Sequence, residues 1–266
     1  RRARGRSLDG LGVRDSITAV VVPTLGQRPE YLELSLRSIR DAGDAYILLV
    51  APAAFDAAPL KAAGLLDEAV AETGRSLPAA INQGFGALPP HIRYIAWLGD
   101  DDLLRPKSLE ITQSYLDRHA KSSVVYGRCD YIDETGAVVW TNRSGAWAAP
   151  LLRVGPDLLP QPGSLFRRTA FESTGGLRTD LGWAFDLDIF LRLARVGRLS
   201  YVRHTLAAFR WHAGSLSVGQ RGNSVREASQ VRREFLPAWI RPVSAVWERP
   251  VRWATNRAGD FVGSSK

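Results

Sequence analysis

Asp100, Asp101 and Asp102 are adjacent carboxylates that follow, after one glycine, the apolar run Tyr94-Ile95-Ala96-Trp97-Leu98. Leu103-Leu104 and Pro106 come soon after them. Burying three neighbouring negative charges unpaired would cost more than a domain's whole marginal stability. They must face water, meet cations or hold a metal. Carboxylate oxygens are hard donors that suit magnesium, manganese or calcium. Magnesium sites commonly take one or two carboxylates and complete the shell with water and substrate phosphates. The C-terminal end of a strand favours that use, because ligands of open α/β sheets collect in the crevice there. The plainer alternative is a solvated acidic turn ahead of a helix beginning near Pro106.

The flanking pattern indicates what must hold that run in place. Ile17 to Val22 reads as a strand that stops at the turn Pro23-Thr24-Leu25-Gly26. Pro29 suits a first helical position, and Leu32, Leu36 and Ile39 recur at helical spacing as far as Gly43. Ala45 to Val50 is a second strand, and Ser76 stands where it would cap a helix carrying Leu77, Ala80, Ile81 and Phe85. Tyr94 to Leu98 is a further strand, Pro106 to His119 a helix, and Ser123 to Tyr126 another strand. Asp133-Glu134-Thr135-Gly136 looks like a hairpin turn before Ala137 to Trp140. Strand alternating with helix up to about residue 130 predicts a mostly parallel sheet covered by helices.

A chain of 266 residues, 45% hydrophobic and 23% charged, has the make-up of an ordinary globular protein with a substantial core. Cys129 is its only cysteine, which excludes an intrachain disulfide or a thiolate metal cluster and fits a reducing compartment. No apolar run approaches the ~20 residues of a spanning helix. The chain opens on Arg1 and contains no methionine, so its start codon is expected upstream. Net charge is +8, concentrated at the ends: Arg1, Arg2, Arg4 and Arg6 form a basic tail, and residues 221–266 hold nine Arg/Lys against four Asp/Glu. Such terminal excess suggests attraction to an anionic surface, not a basic active-site groove.

Four segments, in order, resemble the inverting glycosyltransferases of family 2. The first runs from Val20-Val21-Val22-Pro23-Thr24-Leu25-Gly26-Gln27-Arg28-Pro29 to Leu32 and is similar to the strand and loop that grip the nucleotide in that family. The second, Ala79-Ala80-Ile81-Asn82-Gln83-Gly84, is similar to a short helix ahead of the acidic strand. The third is the acidic run, similar to the family's metal motif. The fourth runs from Gln161-Pro162-Gly163-Ser164 through Gly175-Gly176-Leu177 to Phe185-Asp186-Leu187-Asp188, and resembles an acceptor-side segment in which an aspartate opens a helix. A weaker fifth segment is Arg210-Trp211-His212-Ala213-Gly214-Ser215. Each motif alone says little, and their shared order carries the resemblance over roughly residues 17–218.

The resemblance implies a GT-A (Rossmann-like) mixed α/β fold with a mostly parallel sheet. It implies a basic extension over 1–16, a catalytic domain over 17–218 and a C-terminal extension over 219–266. The catalytic domain would divide into a nucleotide-sugar half, 17–130, and an acceptor half, 131–218. It implies metal-dependent transfer of a sugar from a nucleotide-diphosphate sugar to an acceptor hydroxyl with inversion. Asp102 is the leading ligand for magnesium or manganese, with Asp100 its partner on metal or donor ribose and Asp101 third. Pro23, Thr24, Gly26, Arg28 and Asn82 would hold the donor, and His212 would face phosphate or metal. Asp186 would be the general base, its helix N-terminus favouring the charged form; otherwise it is simply an N-cap. Asp188 would be structural and paired with Arg192. Arg167 and Arg168 have the chemistry for phosphate but no specific context.

One departure concerns the base. The second strand ends Ala51-Pro52-Ala53-Ala54, where the family usually has a carboxylate that contacts the nucleobase. Gly99 likewise stands where many relatives have an aspartate. Two other readings stay open: a sugar-1-phosphate nucleotidyltransferase, which would want a glycine-rich G-x-G-x-R loop absent after the first strand, and a non-catalytic basic binder of nucleic acid or membrane. The acidic centre points away from nucleic acid as a partner. The expected acceptor is a cell-envelope or lipid-linked glycan, reached in the cytoplasm. Trp239, Trp247 and Trp253 among the C-terminal cations are expected either to touch the inner face of the plasma membrane or to pack back on the domain or mediate dimerisation.

Overall fold

The computed structural model describes residues 16–155, 158–211 and 221–239. Its strands are β1 (Thr18–Pro23), β2 (Tyr46–Ala51), β3 (Glu68–Ala71), β4 (Tyr94–Trp97), β5 (Leu103–Leu104), β6 (Ser122–Ile132), β7 (Val138–Asn142), β8 (Leu165–Arg167) and β9 (Arg198–Arg210). Its helices are α1 (Pro29–Ala42), α2 (Ala58–Ala62), α3 (Leu77–Ala87), α4 (Ser108–Arg118), α5 (Ala148–Leu151), α6 (Arg168–Ser173), α7 (Phe185–Val196) and α8 (Arg221–Phe235). The strands join one mixed sheet in the order β3-β2-β1-β4-β8-β6-β9-β5, with β7 paired to β6. The N-terminal strands pair in parallel, as does the long β6–β9 ladder, while β8 runs antiparallel between β4 and β6. No helix among the described residues is long and apolar enough to cross a membrane.

Parallel strands need cover on both faces, and β1, β2 and β4 are buried along their whole length. Alternation along β1 divides the core. Val20 and Val22 join Leu36 and Ile39 of α1 on one side; Ala19 and Val21 join Ile81 and Phe85 of α3 on the other. Val21 stands beside Trp97 in the parallel register, so β1 and β4 end side by side. The loop after Pro23 and the acidic run after Leu98 therefore leave the sheet at one edge, where an open α/β sheet forms its crevice.

Several sequence expectations shift in detail. The helix expected from Pro106 starts at Ser108, because Lys107 adopts left-handed backbone (φ 64°) and its N–H bonds to the Asp41 carbonyl at 3.1 Å. Ser76 does occupy the cap position of α3, but its side chain makes no capping bond. The strand expected to stop at Tyr126 runs to Ile132, since β7 and β9 pair with its second half. The 133–136 turn forms as expected: Asp133 N–H donates to the Ala137 carbonyl, and Gly136 takes φ +90°. The segment read as a C-terminal extension opens with α8, whose Val231 lies fully inside the core. Of the tryptophans assigned to a membrane or packing role, Trp239 is exposed, while Trp247 and Trp253 lie outside the described residues.

Two glycines of α3 give a direct test of how this helix sits on the sheet. A Cβ at Gly84 would meet Val21 Cγ1 at 2.5 Å and Val50 Cγ2 at 3.0 Å, whereas one at Gly86 would meet nothing within 4 Å. Helix propensity favours alanine over glycine by up to about 1 kcal/mol, but overpacking a tight contact costs about 1–3 kcal/mol. Gly84→Ala is expected to lower the urea unfolding midpoint and Gly86→Ala to leave it level or raise it. A Gly84→Ala protein as stable as the wild type would mean that α3 does not lie this close to β1.

Candidate active site

The acidic run is a tight turn. Leu98 still donates to the Val21 carbonyl, and the Gly99 carbonyl accepts from Asp102 N–H at 3.2 Å and from Ser35 Oγ at 3.1 Å. Within it each carboxylate has a different protein partner. Thr24 Oγ1 donates to Asp100 Oδ2 at 2.5 Å and itself accepts from Gly26 N–H at 2.9 Å. Arg28 pairs with Asp101 Oδ2 at 2.9 Å. Asp102, only 5% exposed, accepts the Arg210 backbone N–H on Oδ1 at 2.9 Å. The structure thus bonds Thr24 and Arg28, expected to hold the donor, to Asp100 and Asp101, with Gly26 behind Thr24, while Asp102 meets Arg210. Pro23 ends β1 behind them, in register with Val50.

Arg210 was visible in the fifth motif but was assigned no role there. It is 2% exposed and donates through Nε to the Asp101 carbonyl and through one terminal nitrogen to the carbonyls of Asp133 and Glu134. Its guanidinium also lies 4.4 Å over the Tyr31 ring. One cation thereby ties the end of β9, the hairpin turn and α1 to the acidic turn. Gly26 is required by its backbone, with φ +71°, and by the Phe55 ring, which would be 2.7 Å from a Cβ there. Gly99 has a similar reason to lack a side chain, since a Cβ would approach Asp102 Oδ2 to 3.0 Å and Asp101 Oδ1 to 3.1 Å. A fourth carboxylate there would crowd Asp101 and Asp102.

Burial dominates the electrostatics. It pushes the Asp102 carboxyl well above the usual range; the charge of Asp101 pushes further the same way, and the bond from Arg210 N–H opposes it. Burial also raises Asp100, against the Thr24 hydrogen bond. The Cys129 thiol is raised by burial first and by Asp102 second, which puts this cysteine beside the acidic turn. Among the described residues no group of three His, Cys, Asp or Glu side chains forms a ready-made metal cage. A hard cation taking one or two of these carboxylates and completing its shell from phosphate oxygens needs no such cage. The donor set fits that use: Asp100 and Asp102 are both raised in part by the charge of Asp101, and Asp100 and Asp101 are only half-buried.

A second group of residues lies on the α3–α7 side. Asp186 is at the second position of α7, and its Oδ1 accepts from Leu187 N–H at 2.7 Å. The cap position belongs to Ala184, so Asp186 is not the N-cap. Phe185 beside it reaches the Trp97 ring at 6.4 Å, and Trp97 stacks on Phe166 at 5.1 Å, so the start of α7 is keyed to the end of β4. Asp188 is fully buried in an ion pair with Arg192, whose guanidinium also donates to the Thr174 and Gly176 carbonyls. Asn82 bonds both ways with Leu177, donating to its carbonyl at 2.8 Å and accepting its N–H at 2.9 Å, and so ties α3 to the loop that leads to α7. Arg167 and Arg168 spend their guanidinium groups on backbone carbonyls and Glu172. His212 lies outside the described residues.

No protein-family model matches the chain, and no curated protein does. Solved structures do share its fold. S. aureus TarS 1–349 superposes with a TM-score of 0.58 over 92% of this chain and 90% of its own, at 10% identity. The same TarS fragment in complex with UDP-GlcNAc gives 0.59 over the same shares. The mannosyltransferase PcManGT from Pyrobaculum calidifontis, in complex with GDP-Man and Mn2+, gives 0.59 over 93% of this chain and 76% of its own, at 17% identity. The mixed α/β architecture expected from the sequence is therefore the one present, and it is the fold shared by TarS and PcManGT.

The raised Asp102 has a consequence for the metal-free protein. The folded state holds the proton at this position more tightly than the unfolded chain. As pH rises above the ordinary carboxylate range of about 4, the unfolded state loses that proton first. Stability should therefore fall with rising pH through this window. Asp102→Asn keeps an oxygen for Arg210 N–H and removes the charge. In chelator, it is expected to be more resistant to urea than the wild type near neutral pH and to lose this part of the pH slope. A lower urea midpoint for the variant at neutral pH would show that the fold already compensates the Asp102 charge.

Proposed function

We propose that this protein is a metal-dependent inverting glycosyltransferase that moves a sugar from a nucleotide-diphosphate sugar to an acceptor hydroxyl. The observation that supports the reading most is the direct bonding of the Thr24–Arg28 loop to Asp100 and Asp101 at the crevice end of β1 and β4, within a fold shared with TarS and PcManGT. Asp102 and Asp100 would hold magnesium or manganese, which when bound would neutralise charge developing on the leaving diphosphate. Thr24 and Gly26 shape the loop on the phosphate side, and Arg28 is placed to trade Asp101 for phosphate oxygens. Asn82 acts by holding the 175–177 turn. Asp186 takes the proton from the acceptor hydroxyl on the opposite face of the sugar. His212 is assigned to the phosphate or metal on the strength of the motif. The acceptor is proposed to be a cell-envelope or lipid-linked glycan.

Calorimetry with UDP, GDP and dTDP, with and without chelator, tests the donor side. Binding is expected to need the divalent cation and to be lost in Asp102→Ala. Equal affinity with and without chelator for every nucleotide that binds would remove the metal from the reading. Turnover of a nucleotide-sugar panel should release nucleoside diphosphate; formation of nucleoside triphosphate and sugar-1-phosphate only when pyrophosphate is added would instead support a nucleotidyltransferase.

Asp186→Asn is expected to cut turnover by roughly 10²–10⁴-fold while leaving nucleotide binding intact, since general-base loss typically costs that much. The product anomer, read by NMR, should be inverted. A variant turning over near the wild-type rate would mean that another group takes the proton.

A further inference from the structure

The N-terminal end of α7 is held by a carboxylate from a different helix. Gly182, Trp183 and Ala184 donate their backbone N–H groups to Glu227 at 2.9, 2.6 and 2.6 Å. These are the N–H groups of the N-cap residue and of the two residues before it, which have no intrahelical partner; a Ser, Thr, Asp or Asn side chain at the cap would in addition take an N–H within the first turn. Ala184 at the cap position offers nothing of the kind. Glu227 belongs to α8, where Val231 and Glu234 follow at four and seven residues and so share its face. Val231 is fully buried, and Glu234 pairs with Arg178 at 2.6 Å, which also pairs with Asp180 at 2.8 Å. Phe235 lies under the Arg195 guanidinium of α7 at 4.5 Å. The segment 178–184 is thus gripped at both ends from α8, and Asp186 begins two residues later.

We propose that Glu227 is a positioning residue for Asp186, and that α8 is a working part of the catalytic domain. The inference rests on Asp186 as the general base. Proton transfer needs that carboxylate within hydrogen-bond reach of the acceptor hydroxyl, and a misplacement of ~1 Å can cost on the order of 10²-fold in rate. Without Glu227, three N–H groups lose their acceptor together and the first turn of α7 is free to rotate or fray. The Thr24–Asp100 and Arg28–Asp101 contacts sit on other elements and stay as they are.

Glu227→Ala, Glu227→Gln and Asp186→Asn, made in the full chain, form one experiment. Turnover of UDP-GlcNAc and GDP-mannose with manganese is measured beside UDP and GDP affinity and hydrogen exchange over residues 182–187. Glu227→Ala is expected to lose exchange protection at 182–184 and on the order of 10–100-fold in kcat, with nucleotide affinity and donor KM unchanged. Glu227→Gln keeps one oxygen for the Trp183 and Ala184 N–H groups, gives up the Gly182 bond, and should recover part of both. Wild-type kcat in Glu227→Ala beside an inactive Asp186→Asn overturns the positioning role alone. Unchanged exchange protection, or a parallel loss of kcat and nucleotide affinity that Gln does not rescue, overturns it too. Wild-type turnover in Asp186→Asn overturns the base assignment and, with it, this inference.

Discussion

Mutual repulsion among Asp100, Asp101 and Asp102 is the constraint around which the rest of the molecule is arranged. Three charges on consecutive residues cannot share one counter-ion, and the structure gives each its own partner: a hydroxyl, a guanidinium and a backbone N–H. Those partners come from the loop after β1 and from the end of β9, which are far apart in sequence and separated in the sheet by β4, β8 and β6, yet meet at the acidic turn. Arg210 closes the arrangement by binding the Asp101 carbonyl and the 133–134 turn at once. The compensation is incomplete, because burial still drives Asp102 toward its protonated form. An acidic site left partly uncompensated is suited to taking up a cation, and leaving it so comes at some expense of stability.

The α3–α7 side is built on different physics. Around Asp186 the positioning comes from packing and backbone capping: Phe185 against Trp97, Asn82 on Leu177, Arg192 on the 174–176 carbonyls, and Glu227 on the 182–184 amides. These contacts hold the loop before α7 from three sides. Asp188, two residues along, belongs wholly to this scaffold. Two aspartates two positions apart thus have different surroundings: Asp188 faces the core and its arginine, while Asp186 is half-exposed at the helix start.

Local signals made much of this readable. The strand ending at Pro23, the helix opening at Pro29 and the 133–136 turn all depend on residues close in sequence, and they form where periodicity and turn chemistry put them. Short or edge elements such as β3 and β5 carry too few residues for any period to show. The length of β6 depends on neighbours that pair with it from residues 138–210, and the start of α4 depends on a bond between Lys107 and Asp41.

The sequence by itself determined that three carboxylates end an apolar strand, that a turn with a permissive glycine follows β1, and that an aspartate opens a helix in the second half. It determined these because charge, backbone freedom and helical period are properties of neighbouring residues. Which cation and hydroxyl meet which carboxylate was decided only by the parallel register of β1 with β4 and the arrival of β9 at the same edge. The role of Arg210 and the grip of Glu227 on α7 were likewise decided by tertiary structure, since each joins groups more than forty residues apart. No local pattern encodes a contact at that distance; it exists because burial of the apolar faces brings the elements together, and the polar groups caught between them must then find partners.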